Sequence, residues 1–118
     1  MSALTVSFMG ALTYAHPWLL PVLDEHLVDQ EGEVLPHLLM ADIERWAESE
    51  LLSVGPQSRR LLDLLRFVEA EFAAHHDDEV GEVVSASFLE HLPRHGDVAA
   101  RLRELVGPVC RARLGLIG

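Results

Sequence analysis

His75-His76-Asp77-Asp78-Glu79 is the densest run of metal-ligating atoms in the chain. Adjacent residues point in different directions on a helix, and no second cluster has matching spacing, so no metal site is expected. The run reads better as a helix end whose histidines face the negative terminus, followed by an acidic N-cap from Asp77 or Asp78. Ser87 and His91 stand one turn apart on the apolar side of a helix. Such a pair can serve as nucleophile and base when a third group and an oxyanion site are supplied. A helix interior holds its serine away from substrate, so a structural pair is expected. Cys110, the one cysteine, lies on an apolar helix face with no assignable base, and it is expected to be a small buried hydrophobe. No Walker loop, dinucleotide fingerprint, nucleophile elbow or His-Glu-x-x-His helix occurs. We therefore expect no catalytic residue and no cofactor.

Asp42 needs a different explanation. Leu35, Leu38, Leu39, Ile43, Trp46 and Ala47 recur at helical spacing after Pro36, which suits the first turn of a helix. Asp42 falls inside that stripe, and a carboxylate on an apolar face is costly unless it is paired. It is expected to be buried, with Arg66, Arg101 or Arg103 as candidate partners or an N–H as donor. Asp42 and Trp46 also mark the place for a pocket, if the domain holds a ligand.

The elements that must position these residues are all helical by spacing. Leu4, Phe8, Leu12 and Ala15 give a first helix over about residues 2–14, ended by His16-Pro17. Trp18, Leu19, Val22, Leu23 and Leu27 give a second, and Glu31-Gly32-Glu33 breaks it. The Asp42 helix runs to about Leu52 and should be central. Gly55-Pro56 is a stop and restart before Leu61, Leu64, Leu65, Val68 and Phe72, the cleanest amphipathic pattern in the chain. Val80, Val83, Val84, Phe88 and Leu92 follow over about residues 79–92, closed by Pro93 and Gly96. Asp97 is an N-cap candidate for the last helix, and Gly107-Pro108 should kink or split it. The expected fold is all-α: one compact domain over residues 1–118, a bundle of five or six helices.

The composition narrows function by charge. Among 118 residues there are 19 acids and 9 arginines, with no lysine, for a net charge of -10. That balance disfavours nucleic acid and anionic membranes as partners, since both need positive charge, and permits a basic one. Asp24–Glu50 and Glu69–Glu90 hold sixteen of the nineteen acids. Asp24, Glu25, Glu44 and Glu48 lie off the apolar stripes, so they are expected to be exposed and to meet the partner. A lone cysteine fits a reducing, cytoplasmic compartment. Met1–Gly10 lacks the basic start of a secretory signal, and no apolar run is long enough to span a membrane.

Several stretches carry a resemblance: Leu35-Pro36-His37-Leu38 with Met40-Ala41-Asp42 and Arg45-Trp46, Ser87-Phe88-Leu89-Glu90 with Leu92, and Leu105-Val106-Gly107-Pro108. Together they resemble a family of small bacterial helical proteins known as a domain of unknown function, over about residues 15–115. Its members look like the immunity proteins that accompany polymorphic toxins. The resemblance brings no catalytic residues. It implies a non-enzymatic module that binds a basic protein, with toxin neutralisation as the role. The competing expectation is a small enzyme or ligand-binding protein with its pocket near Asp42 and Trp46.

Overall fold

Proline and glycine divide the chain into its helices. A computed structural model describes residues 3–75 and 77–117. In it α1 spans Ala3–Ala15, a 3-10 turn Pro17–Leu19 leads into α2 at Leu20–Asp29, and α3 spans Pro36–Ser53. Next come α4 at Arg59–His75 and α5 at Glu79–Val84, which continues as a π-helical segment, Ser85–Leu89. The last two are α6 at Gly96–Leu105 and α7 at Pro108–Ile117. Among the described residues no element is a strand. There are seven α-helices rather than five or six. Gly107-Pro108 divides the last stretch in two, because proline cannot donate to the preceding turn.

Local chemistry sets most of the boundaries. The end of α2 is a Schellman turn: the Gly32 N–H donates to the Leu27 carbonyl at 2.7 Å, and Glu31 takes a left-handed φ of 57°. The Ser58 hydroxyl accepts from the Leu61 N–H at 3.2 Å, capping α4, and donates to Glu50 at 2.6 Å. Asp78 caps α5, accepting from the N–H groups of Val80 and Gly81. Asp97 does not cap α6. That helix starts one residue earlier, at Gly96, and its N-cap is His95 without a side-chain bond.

The junction of α6 and α7 is held by two long side chains. The Glu69 carboxylate on α4 accepts from the N–H groups of Val109 at 2.8 Å and Cys110 at 2.9 Å, which are the free donors at the start of α7. Arg111 reaches back to the carbonyls of Glu104 at 3.0 Å and Val106 at 2.8 Å, at the end of α6. Gly107 lies against Glu69 so closely that a Cβ there would meet the Glu69 Cδ at 2.4 Å. Glycine is thus required by close approach.

One hydrophobic core joins these elements, and α3 is at its centre, packing on α1, α2, α4, α5, the π segment and α6. The expected faces of α4 and α5 are buried throughout, from Leu61 to Phe72 and from Val80 to Phe88. Fully buried side chains such as Phe72 and Phe88 each contribute roughly 1.5–3 kcal/mol by leaving water. The Cα radius of gyration is 13.4 Å, against about 13.5 Å for a folded chain of this length.

On α3 the buried face differs from the expected one by about one position. Pro36, Leu39, Met40, Ile43, Glu44, Ala47 and Leu51 face inward. Leu38 does not; it is 50% exposed. The helix is covered from two sides, by α2 on one and the π segment and α6 on the other, so its buried arc extends past the leucines toward Met40 and Glu44.

Candidate functional site

The widening of that arc decides where the acids go. Asp42, expected inside the core, sits at its margin with 31% of its side chain exposed. None of Arg66, Arg101 or Arg103 pairs with it. Arg66 pairs with Asp63 and Arg101 with Glu104, each three residues away on its own helix. Asp42 instead binds the guanidinium of Arg45, also three residues on. An exposed pair of this kind contributes about 0–1 kcal/mol, far less than a buried one. Behind Asp42 lies His26 of α2, which is buried. Its Nε2 accepts from the Leu35 N–H at 3.0 Å, so in the neutral ring Nδ1 carries the proton, and Nδ1 is 3.7 Å from the Asp42 carboxylate. His26 therefore fixes both the connection from α2 to α3 and the ground on which Asp42 stands.

A hollow of about 390 Å³ opens here between α2 and α3. It is lined by Val22, Glu25 and Asp29 from α2 and by Asp42, Arg45, Trp46 and Ser49 from α3. Val22, Asp42 and Trp46 are half-buried, and the other four are exposed. Three carboxylates and one guanidinium leave the hollow negative beside an indole and a valine. The place expected for a pocket, near Asp42 and Trp46, is thus a real concavity. Val22, Glu25 and Asp29 recur at intervals of three and four, so their common face was available in the sequence. His26 had no such signal, because its partners are Leu35 and Asp42.

The four acids expected to meet a partner divide. Asp24 and Glu25 are exposed, and Glu48 is half-buried. Glu44 is not on the surface: it is 2% exposed. Its Oε2 is buried without a hydrogen-bond partner. Burial pushes its pKa up to about 9, and Glu48 one turn on raises it further. Glu44 is therefore a neutral acid at pH 7, and it adds no negative charge to the surface.

The remaining candidates prove to be structural links. His75 ends α4 and binds Asp78 at 2.7 Å, which raises the His75 pKa and lowers that of Asp78. His76 lies outside the described residues, and among the described residues no three ligating side chains form a metal-holding group. Burial pushes the Cys110 thiol up to about 12, with Glu69 adding to it, so it stays protonated. Ser87 does not pair with His91, which is exposed. It lies in the π segment, buried, and its Oγ is 2.6 Å from Nδ1 of His37 at the start of α3. Ser87→Ala is expected to lower stability by about 1 kcal/mol in urea melts. His37→Ala should cost about the same, and the double variant no more than either one.

No family, curated protein or solved structure matches the chain. The site therefore has to be read from its own geometry. A second acidic hollow, of about 340 Å³, lies where Asp77, Asp78 and Glu82 face Glu90 and Arg113. Its Asp78 is already engaged by the α5 cap and by His75. The α2–α3 hollow is the one with an aromatic wall. Among the described residues no helix is long and apolar enough to cross a membrane.

Proposed function

We propose that the protein is a non-enzymatic binding module that receives a basic protein partner on the α2–α3 face, with neutralisation of a basic toxin as its role. The observation that carries this is the hollow itself. Glu25, Asp29 and Asp42 surround an indole wall on a chain of net charge -10. An arginine or lysine side chain is complementary to both parts, its stem to Trp46 and its head to the carboxylates. The resemblance to immunity proteins points the same way. A small-molecule site in the same hollow is the competing reading, favoured by its position beside Asp42 and Trp46. Four of the seven lining residues are exposed, and Arg45 already holds Asp42, which suits a protein surface better.

The test is kinetic. A partner captured from the native cell should associate faster at low salt than at high salt, because a negative field steers a positive protein. Replacing Asp24, Glu25 and Glu48 together by lysine should slow association about tenfold or more at low salt while changing dissociation less. Glu44 is left out because it is buried and neutral. An association rate indifferent to salt and to all three reversals would overturn the proposal.

A further inference from the structure

We infer that the partner lays a basic amphipathic helix along α3, with arginine or lysine at its middle and leucine-sized residues toward its ends. This deepens the protein-binding proposal and rests on it. Leu38, Asp42, Arg45, Ser49 and Leu52 follow one another at intervals of four and three, the spacing of a seam between two helices. They form one stripe on the solvent side of α3. The two ends of that stripe are apolar and uncovered: Leu38 is 50% exposed and Leu52 is 73% exposed. They are about 21 Å apart at the helical rise.

Between the two leucines lies the hollow, negative and walled by Trp46 and Val22. The surface is therefore apolar, then negative, then apolar along a single line. Its complement is apolar, then positive, then apolar over the same 21 Å or so. A helix alongside α3 has the same rise, so its apolar residues fall about fourteen positions apart with basic ones between them. An extended segment crosses that distance in about six residues and turns alternate side chains away, so it matches the stripe poorly. The second acidic hollow carries no such stripe, since no large apolar side chain is exposed on α5 or the π segment.

The probe is a fluorescein-labelled synthetic helix with leucines at the ends and arginines in the middle. One control has serine for the leucines, and another has glutamine for the arginines. Anisotropy titrations at low salt use the intact protein and its Leu38→Ser, Leu52→Ser and Asp42→Lys variants. All three positions are at least partly exposed, and circular dichroism verifies that each variant keeps its helices. The full peptide should bind, and either control should bind about tenfold more weakly. Leu38→Ser and Leu52→Ser should each weaken the full peptide about threefold or more, and Asp42→Lys about tenfold. Failure of the full peptide to bind overturns the inference. So does a serine control that binds as tightly as the full peptide, or a set of variants that bind like the parent. Salt-dependent association of the natural partner would survive those outcomes, so the two proposals fail separately.

Discussion

Glu44→Gln is expected to raise stability at pH 7, by about 1–3 kcal/mol, and to lessen the loss of stability toward alkaline pH. Glu44 is 2% exposed, and its Oε2 has no hydrogen-bond partner. Burial, with Glu48 adding to it, lifts its pKa from 4.5 to about 9. Between those values the folded chain holds a proton that the unfolded chain has lost, so stability falls as pH rises. The contribution is fully present below pH 4.5 and is lost as pH rises through about 9. At about 1.4 kcal/mol per pH unit, keeping the proton at pH 7 costs about 3 kcal/mol. A neutral amide has no such cost, but its NH2 must find acceptors in the same buried space, which takes back part of the gain. Urea melts at pH 5, 7 and 9 decide it. The gap between Glu44→Gln and the parent should widen with pH, and a constant gap would show that the carboxyl titrates normally.

Glu69→Ala is expected to cost about 2–4 kcal/mol. The variant loses two charge-assisted bonds to the Val109 and Cys110 N–H groups, each worth about 1.5 kcal/mol or more, and leaves donors at the start of α7 without a partner. Burial works to raise the Glu69 pKa, but the N–H donors of Cys110 and Val109, the Cys110 thiol and Arg111 hold it below the ordinary range. The stabilisation is therefore present above the unfolded value of 4.5 and is lost as pH falls through the folded one. Glu69→Gln keeps an acceptor without the charge and should lose about half as much. Gly107→Ala should be costly in the parent and nearly harmless when combined with Glu69→Ala, since the Cβ clash is with the glutamate side chain. Thermal melts of the parent, the two single variants and the double variant give this coupling directly.

The helices were legible wherever one face met the core and the other met water. Leu61 to Phe72 on α4 is such a case, and so is the break at Gly107-Pro108. The phase of α3 was not, because that helix is covered from two sides and its buried arc is wider than a simple stripe. The error exchanged two acids. Asp42, expected inside, stands at the margin beside Arg45, whereas Glu44, expected outside, is in the core. The concavity beside Asp42 and Trp46 was placed correctly for an incorrect reason, since it follows from the angle between α2 and α3. His26 and the His37–Ser87 link were invisible, the second because its members are fifty residues apart and nothing local marks them.

The π segment bears on which length changes the chain can accept. The Glu90 N–H reaches back five residues to Ser85, at 2.9 Å, so this stretch holds one residue more than an α-helical turn. Removing any one residue between Ser85 and Leu89 lets an ordinary α-helix close and rotates everything after it by about 100°. Leu89 and Leu92 would turn out of the core, and the hydroxyl of Ser87 would leave His37. Glu31–Glu33 and Pro56–Gln57, by contrast, are exposed connections with no shared register to keep. Insertions and deletions in natural versions of this chain are expected at those two connections, and the stretch from Val84 to Leu92 is expected to keep its length.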